Sequence, residues 1–280
     1  SSDLFWTMSV RDYLEEYFES DIVKVHLAGS AIIGTALGPY SPGSAYVLLH
    51  HYMGEVDGTV GAWGYSRGGM GSITKAMASS FKSKNGEIKA GSPVTKILIK
   101  NNRSYGLVLE NGDEIYANKI VSNLDVKRTF LKVVEEKELP SDFYRAVKNF
   151  KIRGSSGKLN IALDDLPIWK SIPVGDPAGT GDLHITQNIE EMEGAYDNWK
   201  DGRWSQFPYV DMCIPSINDP TMAPQGKHYM SVFIQYVPYN LADGGWTEEK
   251  RFEFGKHVMN RIGNYSTNFN DIINHVEIRT

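Results

Sequence analysis

The spacing of apolar residues changes near residue 86, and this change constrains the fold more than any other feature. Before it, Val10, Leu14 and Phe18 recur at the intervals of one helix face. After it, apolar and polar residues alternate with a period of two, as in half-buried strands. The sequence therefore predicts an α+β fold in which helices flank a mixed, largely antiparallel sheet.

Helix signals dominate the first part of the chain. Ser9 followed by Asp12 resembles a capping box at the start of the first helix. A second apolar helix is predicted over 21–36. Ser41 as N-cap, with Pro42 at the first helical position, predicts the start of a third. A glycine-rich aromatic stretch then leads into a helix predicted over 71–84.

Strand and turn signals follow. Two short strands are predicted on either side of the break at 91–93, and Asn111-Gly112 is a strong hairpin turn. Further strands are predicted in the segments GKLNIAL, DLHITQ, YVDMCIP and KHYMSVFIQYV, and the chain ends in an extended segment, HVEIRT. The remaining helices are predicted over 125–136, 141–149, 188–200 and 246–263.

Composition excludes several classes of function. A net charge of −5 without a basic run gives no footprint for nucleic acid. The only cysteine, Cys213, excludes an intrachain disulfide and a cysteine-rich metal site. Its isolation predicts a reducing compartment, the cytoplasm or, in a eukaryote, an organelle matrix. No apolar run is long enough to span a bilayer, and adjacent His50 and His51 diverge too far on a helix to share a metal.

The stretch SRGGMGSITK partly imitates a dinucleotide-binding loop. Gly69 and Gly71 match the first two glycines of G-x-G-x-x-G, but Thr74 replaces the third. No apolar strand precedes the turn, although such a strand delivers a true phosphate loop. The sequence instead favours a tight turn that feeds a helix N-terminus beside a ligand cavity.

Four motifs in the order found here carry a resemblance over about residues 60–130. They are the turn Gly68 to Gly71, the strand at Val94 to Ile97, the hairpin at Gly106 to Leu109, and the tetrapeptide Ser122 to Asp125. In this order the chain resembles the FAD-dependent amine oxidase and phytoene desaturase superfamily, in its phytoene-dehydrogenase-related branch. Leu124 stands where the family has Ala, which is a mild departure.

The resemblance implies a role for several residues. The main chain of Val94 is expected to face the adenine end of FAD, with Ser122 and Asn123 near the cofactor. The glycine turn is expected on the substrate side, so that Gly69, Met70 and Ser72 line the substrate pocket. Tyr65, directly before the turn, is expected to join them. No residue is assigned a catalytic role.

The resemblance also implies an organisation and a function. Residues 1–85 are expected to form a helical part of the substrate domain, 86–125 a returning segment of the FAD-binding domain, and 126–280 the sheet and helices of the substrate domain. The expected activity is FAD-dependent removal of hydride from a hydrophobic small molecule, forming a C=C or C=N bond; flavin-dependent isomerisation is a related possibility.

Two departures leave another function open. The family's opening G-x-G-x-x-G unit and its second glycine-rich flavin motif are not found here, so the chain is expected to be an internal piece without a complete flavin site. The alternative is therefore a non-catalytic binding or interaction module.

Overall fold

Two stretches of chain that are distant in sequence fold together. The computed structural model describes residues 2–280. Ser1–Ile73 and Arg153–Thr280 form one compact unit, and the intervening Thr74–Ile152 forms a second. We call these the first unit and the second unit.

The first unit opens with four helices. They are α1 (Ser2–Thr7), α2 (Val10–Glu15), α3 (Asp21–Ile32) and α4 (Ser44–Tyr52). The capping expectation at Ser9 is confirmed, because its hydroxyl accepts the Asp12 N–H at 3.1 Å. Helix α3 ends four residues before the predicted boundary, next to Gly34, which has a φ of 68°.

The predicted start of α4 at Ser41 and Pro42 is wrong. The N-cap is Gly43, in the left-handed region with a φ of 87°. Ser41 instead accepts the Gly38 N–H at 2.9 Å and closes the preceding turn. The glycine supplies a backbone conformation that ends the turn before the helix begins.

A short hairpin and a long helix follow. The hairpin consists of β1 (Glu55–Val56) and β2 (Thr59–Val60), and α5 covers Met70–Ser83, as predicted to within one residue. None of the α5 side chains is buried.

The second unit contains a three-stranded antiparallel sheet. Its strands are β3 (Val94–Lys100), β4 (Arg103–Leu109) and β5 (Glu114–Tyr116), in that order. The Asn111-Gly112 turn is confirmed, with a φ of 90° at Gly112. The strand predicted before residue 91 does not form.

The predicted helix over 125–136 is divided. It consists of α6 (Val126–Arg128), a π-helical turn (Thr129–Val133) and a separate 3-10 turn (Glu136–Glu138). Extended backbone at Val134 separates the last two. Helix α7 (Ser141–Asn149) agrees with its prediction.

The first unit returns as a five-stranded sheet in the order β10-β6-β9-β8-β7. The strands are β6 (Ser156–Leu163), β7 (Leu183–Ile185), β8 (Tyr209–Cys213), β9 (His228–Gln235) and β10 (Ile273–Arg279). Between them lie α8 (Ile189–Lys200), α9 (Pro215–Asn218), α10 (Glu248–Gly263) and α11 (Phe269–Ile272). Every pairing between the described strands is antiparallel, which confirms the α+β class with a largely antiparallel sheet.

One face of this sheet is packed as an apolar core. Ile161, Val232 and Ile234 are buried there with Phe254 and Val258 of α10. Full burial of each such side chain contributes about 1.5–3 kcal/mol. A second apolar cluster joins α2, α3 and α8.

Gln235 fastens α3 to the opposite face of the sheet. Its fully buried side-chain amide donates to the carbonyls of Ile32, at 2.7 Å, and Thr35, at 3.0 Å. Its carbonyl oxygen accepts the Ser156 hydroxyl at 2.9 Å. The carbonyl of Ile32, the last residue of α3, thereby gains a partner from a distant part of the chain.

Candidate functional site

The face of the five-stranded sheet opposite α10 carries polar side chains. In β8, Val210 and Met212 belong to the apolar core. Successive residues of a strand point to opposite faces, so Tyr209, Asp211 and Cys213 lie on the other face. Strand β7 pairs with β8 such that His184 lies opposite Asp211. We call this set of side chains the polar face.

His184 and Asp211 are the closest pair on the polar face. His184 Nε2 lies 3.5 Å from Asp211 Oδ2, and their side chains are 14% and 20% exposed. The ring of His26 on α3 stacks on His184, with centroids 5.1 Å apart. The second ring nitrogen of His184, Nδ1, is buried without a hydrogen-bond partner among the described residues. Such an atom is a position where a ligand or water can gain a hydrogen bond.

Burial changes the protonation of this pair. Burial, and then the nearby charge of Asp182, raises the pKa of Asp211 to about 7. Burial, followed by the effect of His26, lowers the pKa of His184. A carboxyl group that titrates near neutral pH can both give and take a proton there, as acid–base chemistry requires.

Unlike Asp211, Cys213 does not titrate near neutral pH. Burial, with Asp182 and Asp211 nearby, raises the pKa of its thiol to about 11. The thiol therefore stays protonated near neutral pH, whereas a nucleophilic cysteine needs a lowered pKa.

Tyr209 adds a second unpartnered polar atom. Its side chain is 1% exposed, and its hydroxyl has no hydrogen-bond partner among the described residues. The tyrosine ring centroid lies 5.6 Å from that of His184. Two under-satisfied polar groups therefore lie side by side on the polar face.

The glycine turn is fastened by protein groups. The Gly68 N–H donates to Asp219 Oδ2 at 2.5 Å, and Gly69 takes a φ of 74°. Ser72 donates through its hydroxyl to the Gly69 carbonyl at 2.7 Å. The amide of Gly68 is thus occupied by a carboxylate of the same chain, which would repel a phosphate.

The residues expected to line a substrate pocket lie at different places in the first unit. Tyr65 is 67% exposed, and partial desolvation, together with Asp182, Cys213 and Asp211, raises its pKa. That influence places Tyr65 beside the polar face. Met70 is 77% exposed at the start of α5.

The residues expected near a cofactor lie in the second unit. Val94 is 36% exposed at the first position of β3, and Asn123 is exposed. The hydroxyl of Ser122 lies 2.9 Å from that of Thr129 and accepts the Leu124 N–H at 3.3 Å. Val94 and Asn123 are therefore accessible, while the Ser122 side chain is engaged within its own segment.

Sequence reasoning missed the polar face. His184 stands between Leu183 and Ile185, and Asp211 between Val210 and Met212. A charged or titratable residue within an otherwise apolar strand is the signal that could have found either residue. Their pairing depends on the register between two strands, which no local pattern gives.

Among the side chains that the structure describes, no group of three or more His, Cys, Asp or Glu could hold a metal ion. None of the described helices combines the length and apolar character needed to cross a membrane.

Comparisons with known proteins show the family to which the chain belongs. No protein-family model matches the chain. It is 36% identical over 271 residues to pyridine nucleotide-disulfide oxidoreductase domain-containing protein 2 of Mus musculus, a match covering 94% of the chain and 47% of that protein. It is also 32% identical to prolycopene isomerase 1 of an Oncidium hybrid cultivar, over 72% of the chain and 31% of the isomerase.

One solved structure has a similar fold. A double mutant of putrescine oxidase matches 99% of this chain and 54% of its own, with a TM-score of 0.56 and 12% identity, so the likeness is one of fold. The chain belongs to the FAD-dependent amine oxidase and phytoene desaturase superfamily. As a member of this superfamily, it spans about half the length of the mouse protein that it matches.

Proposed function

We propose that the chain is the substrate-binding part, with a portion of the FAD-binding domain, of an FAD-dependent oxidoreductase that removes hydride from a hydrophobic small molecule. The observation that carries this proposal is the polar face, on which the side chains of His184 and Asp211 are only 14% and 20% exposed and His184 Nδ1 has no hydrogen-bond partner among the described residues. Buried titratable groups whose pKa values are shifted by their surroundings are typical of functional sites.

The domain assignment is part of the same proposal. Residues 1–85 and 126–280 would belong to the substrate domain, and 86–125 to the FAD-binding domain. When bound, FAD would accept two electrons from the substrate. Asn123 and Val94 are exposed, so that Asn123 and the main chain of Val94 would contact the cofactor, and Ser122 would contribute by shaping the segment that holds Asn123.

Exposed apolar side chains around the glycine turn support a hydrophobic substrate. Trp63 and Tyr65 are each 67% exposed, and Met70 is 77% exposed. Contact with a long apolar molecule would remove this surface from water, at about 25 cal/mol for each square ångström buried. Prolycopene, named in the orchid relative, is a hydrocarbon of this kind.

The decisive experiment uses the full-length protein from which the chain comes. Purified protein, reconstituted with FAD, is expected to show flavin absorption bands that bleach under anaerobic conditions when an oxidisable substrate is added. Phytoene is the first probe, because it is a long hydrocarbon like prolycopene, for which the Oncidium relative is named.

A matched pair of variants tests the cofactor contact. Asn123→Ala is expected to weaken retention of FAD, whereas Asn149→Ala, at an exposed position at the end of α7, should leave it unchanged. A full-length protein that shows no flavin bands after reconstitution would instead support a non-catalytic binding module.

A further inference from the structure

We propose that the second unit carries a binding site for a nucleotide, at the end of its sheet where β3 turns into β4. The base would lie against Tyr105 and Tyr116, and the phosphate would bind Lys100 and Arg103. This site does not rest on the proposed function, because all four residues belong to the second unit and none of them is expected to contact FAD.

Two cavities that share lining residues mark the site. The first has a volume of about 250 Å³ and is lined by Arg103, Ser104, Tyr105, Tyr116, Ala117 and Asn118. The second has a volume of about 300 Å³, shares Arg103 and Tyr105 with the first, and is also lined by Lys100 and Asn101. Small-molecule sites span about 300–1,000 Å³, so cavities of this size suit a small ligand such as a mononucleotide.

A pair of cations on neighbouring strands forms the positive end of the site. Asn101 and Asn102 make the two-residue turn between β3 and β4, with φ values of 52° and 58°, which such turns require. The turn places Lys100 directly opposite Arg103. Like charges in this position repel each other, and neither side chain forms an ion pair with a described residue. A phosphate would relieve this repulsion, and a guanidinium can bind two of its oxygens at once.

Two tyrosines form the aromatic end of the site. The pairing of β3 with β4 shifts in register at Tyr105, which is therefore the extra residue of a β-bulge, a feature that re-aims a side chain. The ring of Tyr105 lies parallel to that of Tyr116 on β5, with an interplanar angle of 10° and centroids 6.1 Å apart.

Gly106 and the exposure of the rings make this end accessible. A Cβ atom on Gly106 would lie 3.1 Å from Cδ1 of Tyr116, so the glycine leaves room for the ring. Tyr105 and Tyr116 are 40% and 65% exposed. An aromatic base can therefore stack on them.

Polar groups favour a base over a plain aromatic ring. Ser104 and Asn118 line the same cavity as the tyrosines and carry hydrogen-bond donors and acceptors. The edge of a base also carries both, whereas a phenyl ring carries neither. The Tyr116 hydroxyl donates to the Glu114 carboxylate. This carboxylate would repel a phosphate, which is thereby directed to Lys100 and Arg103.

The site lies away from the residues expected to contact FAD. The seven-residue strand β3 begins at Val94 and ends at Lys100. At about 3.3 Å for each residue, the two ends are about 20 Å apart. The nucleotide would therefore be a second ligand, separate from the flavin cofactor.

Binding of four probes to the full-length, FAD-loaded protein tests the site by isothermal titration calorimetry. AMP carries both base and phosphate, adenosine lacks the phosphate, and ribose 5-phosphate and inorganic phosphate lack the base. AMP is expected to bind at least about tenfold more tightly than each of the others, because each of them loses one set of contacts. No binding of AMP, or equal affinity for AMP and any other probe, would overturn the proposal.

Variants locate the bound AMP. Arg103→Gln and Tyr116→Leu are each expected to weaken its binding about tenfold, whereas Tyr116→Phe, which keeps the ring, should bind nearly as well as the unaltered protein. Arg145→Gln, at an exposed position on α7, and Tyr239→Leu, at a residue that is 68% exposed, are the matched controls and should bind normally. Unchanged affinity in Arg103→Gln and Tyr116→Leu would contradict this site.

The flavin spectrum of the same samples separates this site from the proposed function. Flavin bands without AMP binding refute the nucleotide site alone. AMP binding that is weakened by Arg103→Gln, in a protein without flavin bands, supports the nucleotide site and refutes the proposed function.

Discussion

The side chain of Tyr209 on β8 occupies the space that a Cβ atom on Gly29 would need. Such an atom would overlap the tyrosine hydroxyl and lie 3.0 Å from its Cζ. Gly29 is buried on α3, which packs over this end of the polar face. The absence of a side chain at residue 29 therefore allows the helix to approach the sheet at the Tyr209 hydroxyl, which is buried and has no hydrogen-bond partner in the part of the chain that the structure describes.

Gly29→Ala is expected to destabilise the protein by about 1–3 kcal/mol through overpacking. Gly29→Ala should destabilise the protein less in a Tyr209→Phe background, because the overlapping hydroxyl oxygen is gone. Urea unfolding of the two single variants and the double variant measures this coupling. Gly194→Ala in α8 is the matched control, since its Cβ would meet open space; there alanine should stabilise by up to about 1 kcal/mol. Equal costs of Gly29→Ala in both backgrounds would contradict the packing described.

Asp211 is expected to make stability fall as pH rises from about 4 to about 7. Its pKa is about 7 in the folded protein and about 3.9 when unfolded, so the folded state binds more protons across this window. The difference corresponds to at most about 4 kcal/mol. Asp211→Asn should remove this dependence and therefore stabilise the protein more at pH 8 than at pH 5.

Urea unfolding at the two pH values measures the effect of Asp211. Asp201→Asn, at an exposed carboxylate, is the control and should change stability little at either pH. An equal effect of Asp211→Asn at pH 5 and pH 8 would show that the carboxyl group is not perturbed by burial.

The sequence predicted the start of a helix correctly where a neighbouring polar side chain caps it. The side chain of Ser9 caps α2 as predicted, and Thr247 caps α10, within the predicted range, by accepting the Lys250 N–H at 3.2 Å. The prediction at Ser41 was wrong because the helix begins after Gly43, a glycine in the left-handed region. The Ser41 hydroxyl closes the preceding turn instead, and a capping pattern alone does not show which of these tasks a serine takes.

The polar face was beyond sequence reasoning for a different reason. His184 and Asp211 are 27 residues apart and meet only because β7 pairs with β8 in one register. Whether His184 Nδ1 finds a partner depends on every group that packs around it, and among the described residues it finds none. By contrast, the roles expected for Val94, Ser122, Asn123 and the glycine turn came from family resemblance and stay predictions.

The ion pair between Arg261 and Glu191 joins α10 to α8, and its two side chains are only 8% and 13% exposed. Arg261→Met should leave the Glu191 carboxylate buried and unpaired, at a cost of about 3–5 kcal/mol. Adding Glu191→Leu should recover most of that loss. Thermal and urea unfolding of the single and the double variant measure both changes in stability.

The exposed pair Arg203–Asp201 is the control, where Arg203→Met should cost less than about 1 kcal/mol. A small loss in Arg261→Met would contradict the buried pairing.

Asp219→Ala is expected to loosen the glycine turn, because Asp219 Oδ2 accepts the Gly68 N–H. Hydrogen exchange at the Gly68 amide should accelerate about tenfold, in line with loss of one charge-assisted hydrogen bond. Asp176→Ala, which removes an Asp that caps its own turn through the Ala178 N–H, is the control and should leave Gly68 unchanged. If Gly68 exchanges at the same rate in Asp219→Ala, the carboxylate does not hold the turn, and its amide would be available to an anion.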